Sequence, residues 1–133
     1  MQAVSFSVPG DPVPQPRARI TTRGGHGHAY TPKSHPVHAY RQAVALCAKA
    51  AGVVEATEPV AVVIDAVFER PKSHMNKSGV KATAPRIPRP DVDNIAKAVL
   101  DALQTVMGDD TNVSRLVVEK SYGMEARTTV RVQ

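Results

Sequence analysis

Pro90-Asp91-Val92-Asp93-Asn94-Ile95-Ala96-Lys97-Ala98-Val99-Leu100-Asp101-Ala102-Leu103 is the stretch on which the reading of this 133-residue chain turns. Ile95, Val99 and Leu103, with Val106 and Met107 beyond them, recur at helical spacing and predict an amphipathic helix over roughly Asn94 to Met107. Asp91 and Asp93 stand just before it. Two residues apart in an extended segment, their side chains point the same way. Asp93 also lies where the free amides of a helix start favour negative charge. Gly108-Asp109-Asp110 follows one helix length later. The plain alternative is that the first two acids cap the helix and the last two form a turn. Lys97 is one turn beyond Asp93 and one turn before Asp101, and the plain reading of Lys97 with Asp101 is a surface pair. For Asp101 that reading, or a subunit contact, is preferred. Lys97 so close to carboxylates has a sharper alternative, in which it stabilises charge growing on a phosphate.

Working outward, the chain ahead of this stretch is basic. Pro12 to Val54 holds six Lys/Arg and no acid, and Arg70 to Pro90 holds six more, again with no acid. The net charge is +5 and the pI about 9.7. Such a surface suits a polyanion, and an acid cluster within it would repel one unless a divalent cation lay between them. Mg²⁺, with Mn²⁺ as a substitute, takes oxygen ligands from a few carboxylates, water and substrate phosphate. Arg17, Arg19, Arg23 and Lys33 in the first stretch, and Arg70, Lys72, Lys77, Lys81, Arg86 and Arg89 in the second, are the expected contacts to a nucleic-acid backbone; a solvated face is the alternative. With no Trp and only two Phe and three Tyr, base stacking along a single strand is disfavoured. A duplex or branched backbone fits better. The lone Cys47 excludes an intrachain disulfide, suggests a reducing compartment and reads as a buried apolar residue. His26, His28, His35, His38 and His74 have some ligand-like spacings, but without cysteine pairs they read as polar loop residues rather than a zinc site. No apolar run approaches a membrane span and no signal peptide is visible, so a cytoplasmic protein without an organic cofactor is expected.

The remaining elements follow from pattern. Residues 2 to 8 alternate and read as a strand, and the proline-rich segment after them as an extended loop. Arg17 to Thr22 and Gly27 to Tyr30 could flank a hairpin. Ser34 is placed to cap a helix running to about Ala51, with Gly52 as its stop. Val60 to Glu69 is apolar on one face and partly so on the other, and reads as a central strand. Arg70 to Arg89 is a long loop, and loops of that length tend to be functional or disordered. Val113 to Tyr122 and Arg127 to Val132 suggest a terminal hairpin around Gly123-Met124-Glu125-Ala126. The sum is one α+β domain over residues 1–133, a small mixed or antiparallel sheet with two main helices.

The Asp-x-Asp-Asn-x-x-Lys-x-x-x-Asp core, then Asp109-Asp110 and Glu119-Lys120, closely resembles the RusA family of Holliday-junction resolvases. The proline-rich basic start, Tyr30-Thr31-Pro32 and Arg70-Pro71-Lys72-Ser73-His74 fit it as well, so the resemblance covers almost the whole chain. It implies a RusA-like homodimer, a Mg²⁺-dependent endonuclease that nicks four-way DNA junctions in recombination and repair. Its essential acids fall on Asp91, Asp93 and Asp110, which would also hold the metal, and its essential lysine on Lys97. The segment between Leu103 and Asp109 is shorter than in many members and lacks the aromatic that often precedes the acid pair. Two other classes stand beside this one: a non-catalytic basic DNA-binding module, and a metal nuclease that cuts other branched nucleic acids. Fourteen helical residues span about 21 Å, so Asp110 meets Asp91 only if the helix is short or bent, or if a second subunit supplies it.

Overall fold

A computed structural model describes residues 2–133, apart from the side chain of Arg23. Eight strands and two helices occur in the order β1 (Val4–Pro9), β2 (Arg19–Thr21), β3 (His28–Tyr30), α1 (Val37–Ala51), β4 (Val60–Glu69), β5 (Met75–Asn76), β6 (Gly79–Val80), α2 (Val92–Met107), β7 (Val113–Gly123) and β8 (Arg127–Val132). The main sheet has four strands in the order β1-β8-β4-β7 and is mixed: β4 is parallel to β7 and antiparallel to β8, which is antiparallel to β1. The α+β class and the mixed sheet expected from the sequence are therefore present. β2 pairs with β3, and β5 with β6, as separate two-stranded ribbons.

β4 is central because both its edges are taken and one of its faces is fully apolar. Val60, Val62, Ile64 and Ala66 are buried beneath the helices. Val130 and Val132 of β8 and Phe6 and Val8 of β1 continue that layer. The two helices cover it with complementary stripes, Val37, Tyr40, Val44 and Ala48 on α1 and Ile95, Val99, Leu103 and Met107 on α2. Cys47 is half-buried against this core, not fully within it.

The expected terminal hairpin does not form. β7 and β8 lie on opposite sides of β4, so the short link between them crosses the end of that strand. Gly123 permits this crossing: a Cβ there would lie 2.6 Å from Cγ1 of Val67, closer than packed atoms tolerate. Two strand-like runs separated by a few residues look alike whether they pair directly or straddle a third strand. The buried β4 needed a hydrogen-bonding partner on each side, and that decided it. α1 starts three residues after the expected Ser34 cap; Pro36 stands at the cap position without a side-chain bond, and His35 Nδ1 accepts from the Val37 amide at 3.0 Å. Its end is as expected, with Gly52 at φ 99° donating back to Ala48 and Lys49 carbonyls. α2 begins two residues earlier than expected, at Val92.

One polar contact crosses the core. Tyr40 Oη and the fully buried Thr128 Oγ1 share a 2.5 Å hydrogen bond. Burial pushes the Tyr40 phenol from 10.0 up to about 12, with the Thr128 hydrogen bond opposing more weakly. The folded state thus holds this proton more tightly than the unfolded chain. Its contribution to stability is complete below pH 10 and lost as pH rises through about 12. Denaturant titrations across that window are expected to show an alkaline loss of up to ~3 kcal/mol. Tyr40→Phe should remove that slope while costing ~1–3 kcal/mol at neutral pH for the stranded threonine; an unchanged slope would contradict the assignment.

Candidate active site

α2 runs antiparallel to β4 and β7, so its two ends carry two separate groups of acids. At its start Asp91 occupies the cap position, and its carbonyl accepts from the amides of Asn94 at 3.1 Å and Ile95 at 3.2 Å. Its carboxylate makes no capping bond. Asp93, in the first turn, uses only Oδ1, which accepts from the Asn94 amide at 2.9 Å. Both side chains are exposed, and Lys97 is exposed one turn further along. Capping thus accounts for the backbone of Asp91 but not for its carboxylate.

Four other segments frame this helix start. The proline-rich loop docks through the Gln15 amide, which donates to the Asn94 carbonyl at 2.9 Å, and Arg41 of α1 donates to the Gln15 side chain. Asp11 Oδ1 accepts from the Glu69 amide at 3.3 Å, joining that loop to the end of β4. Lys120 on β7 donates from Nζ to the Pro90 carbonyl at 2.7 Å. Arg70 lies over the ring of Tyr122 at 4.3 Å and donates to the Pro85 carbonyl at 2.8 Å, with His74 edge-on to the same ring at 5.6 Å. A shallow cleft of about 340 Å³, lined by Asp11, Glu69, His74, Arg89, Pro90 and Tyr122, reaches the residue just before Asp91. The long loop is therefore folded: it contains the β5–β6 ribbon and is tied to the sheet through Arg70 and His74.

Asp110 lies at the other end. The sixteen residues of α2 form one unbroken helix, about 24 Å long. Asp110 follows it in the turn Asp110–Asn112, whose start is capped by Asp109 accepting from the Thr111 amide at 3.1 Å. Among the described residues no three His, Cys, Asp or Glu come together to hold a metal ion, so Asp91, Asp93 and Asp110 of one chain do not converge, and neither do any three of the histidines and Cys47. Asp101 faces Arg41 across the helix pair at 4.0 Å, an interhelical contact rather than the expected partnership with Lys97. The donor set at the helix start nevertheless suits a hard divalent cation. It offers two exposed carboxylates with free oxygens, and Mg²⁺ commonly needs one or two such groups beside water and phosphate.

Of the expected backbone contacts, Arg17, Arg19, Lys33, Lys72, Lys77, Lys81, Arg86 and Arg89 are exposed. The side chain of Arg23 lies outside the described residues. Arg70 is half-buried, its guanidinium lying over Tyr122 and donating to the Pro85 carbonyl. Sequence reasoning assigned no role to Lys120. Its signal was its phase: Lys120 pairs with Ala66 and so shares the core-facing side of β7 with Val118, where an unpaired lysine is rare.

Residues 9–133 match the family described as Endodeoxyribonuclease RusA. The chain is also similar to the uncharacterized protein YqaN of Bacillus subtilis (strain 168), with 34% identity over 142 aligned residues covering 100% of this chain and 97% of that relative.

Proposed function

The chain belongs to the RusA endodeoxyribonuclease family, and from that premise we propose that residues 1–133 act as one domain of a homodimeric, Mg²⁺-dependent resolvase of four-way DNA junctions. The observation that carries the reading is the pair of open carboxylates on Asp91 and Asp93 at a helix start, with Arg89 exposed just before them and Lys97 exposed one turn on. Asp91 and Asp93 would hold Mg²⁺ or Mn²⁺, with Asp110 of the partner subunit as the third acid. β7 supports that exchange. It is an eleven-residue edge strand that runs from the Asp110 end of the molecule to the Asp91 end. A two-fold axis through the middle of its free edge would reverse it. Asp110 of the partner subunit would then come to the end where Asp91 lies. Two such sites per dimer suit a junction resolved by paired nicks.

When bound there, the cation would supply charge neutralisation at the scissile phosphate and a more acidic water. Lys97, one turn beyond Asp93, offsets the negative charge that grows on the phosphate as water attacks in line. Arg89, with Lys72, Lys77 and Lys81, grips the flanking backbone. Lys120 orients Asp91 by holding the preceding carbonyl. Lys120→Met is expected to lower the rate of nicking 10- to 100-fold with junction affinity nearly unchanged, and Lys120→Arg to restore part of it. Equal rates for Lys120→Met and wild type would remove that role. The protein is expected to work in the cytoplasm.

The reading as a whole is tested on one gel. A labelled four-way junction should be nicked symmetrically with Mg²⁺, left whole in EDTA, and cut in preference to a linear duplex of the same sequence. No cutting with Mg²⁺ would end the enzyme reading, and preferential cutting of flaps or forks would move it to another branched substrate.

A further inference from the structure

We propose that the cleft between the β5–β6 ribbon and the end of β7 is a binding site for one unstacked nucleobase at the branch point of the DNA. The inference rests on the reading of this protein as a nuclease for branched DNA and adds a subsite to it, in a cleft that Asp91 and Asp93 do not line.

The cleft measures about 460 Å³ and is lined by Glu69, Arg70, Met75, Val80, Tyr122 and Met124, with Gly123 at its base. Met75 and Val80 are directly paired across the ribbon and are 43% and 53% exposed, while Met124 on the crossing link is 98% exposed. Apolar side chains so open are costly unless something covers them. Around this patch the same loop exposes Lys72, Lys77 and Lys81.

Charge complementarity decides what the occupant is. The lysines draw in a polyanion, yet the cleft wall is mostly apolar, with Glu69 and Arg70 of opposite charge both lining it, so its interior offers no net charge for phosphate. The uncharged, flat part of a nucleic acid is the base. Duplex bases are stacked and out of reach, whereas a junction has base pairs at its branch point that open cheaply. A base in the cleft would lie against Met75, Val80 and Met124, in the manner of the apolar side chains that insert at unstacked steps. Glu69 offers an acceptor to an exocyclic amino group. Tyr122, held by Arg70 on its ring at 4.3 Å, is common to this cleft and the one that reaches Pro90. A base seated here is therefore next to the strand presented to the acids.

The test is a cycle of base removal against side-chain removal, read as binding to a four-way junction in EDTA so that nothing is cut. Met75→Ser/Val80→Ser should weaken junction binding about tenfold, leave linear-duplex binding unchanged and keep the salt dependence, since no charge is lost. Removing the branch-point bases as abasic sites should weaken wild type by a similar factor and the double variant hardly at all. Met124→Ser, at a fully open position, should move the same way by a smaller factor and serves where the double variant misfolds. Equal junction affinity for wild type and Met124→Ser, or equal abasic losses in wild type and variant, would overturn the base site. A fall in sedimentation mass for either variant would show instead that a second copy of the chain covers this patch, and would also overturn it. Wild type that nicks junctions yet shows no abasic loss refutes this inference alone, whereas wild type that binds no DNA refutes the nuclease reading and the base site together.

Discussion

Asp93→Asn is expected to lower the single-turnover rate of junction nicking about a thousandfold, ~4 kcal/mol of transition-state stabilisation, while junction affinity in EDTA stays level or rises. Asparagine keeps the shape of the side chain and one oxygen but removes the charge that a hard cation requires. The fold has little stake in the change, because Asp93 is exposed and its one hydrogen bond is to the adjacent amide of Asn94. Losing the acid from the first turn of α2 costs ~0.3–1 kcal/mol through the helix dipole, and the unfolding midpoint should move accordingly little. Affinity can rise because a carboxylate facing DNA without a cation repels phosphate. The measurement is a quenched time course on a labelled junction in Mg²⁺, beside a binding isotherm without metal. A variant that nicks at the wild-type rate would remove Asp93 from the site.

Mixed dimers give the second large effect. Asp93→Asn and Asp110→Asn homodimers should both be inactive. If Asp110 serves the partner's site, each mixed dimer regains one intact site, made of Asp91 and Asp93 from the Asp110→Asn chain and Asp110 from the other. Random exchange makes half the dimers mixed, so about a quarter of all sites recover, far above the thousandfold loss in either parent. If Asp110 acts within its own chain, every site carries one lesion and mixing restores nothing. The experiment is decisive because α2 alone puts about 24 Å between the helix start and Asp110. Co-refolding equimolar variants and assaying nicking reads the answer directly; a mixture as inactive as its parents would refute the shared site.

Much of this molecule was legible before folding. The helical stripe from Ile95 to Met107, the stop at Gly52, the apolar run of β4 and the β2–β3 hairpin all appear close to where local pattern put them. Each depends on residues within a few positions of one another. The terminal hairpin did not survive, since β4 inserts between β7 and β8 and only Gly123 hints at the crossing. Nor could spacing reveal that Arg70 is held on Tyr122 or that Lys120 reaches Pro90.

By itself the amino-acid order determined the chemistry on offer: acids bracketing one helix, a lysine one turn along, and two long acid-free basic segments ahead of it. Tertiary structure alone decided which of those groups are neighbours. It left the Asp91 carboxylate open, closed the loop over Tyr122, and put Asp110 at the far end of an unbroken α2. Side-chain type and periodicity are local properties of a chain, whereas distance between elements is set by how the sheet satisfies its hydrogen bonds and buries its apolar face, and those demands come from residues far apart in sequence.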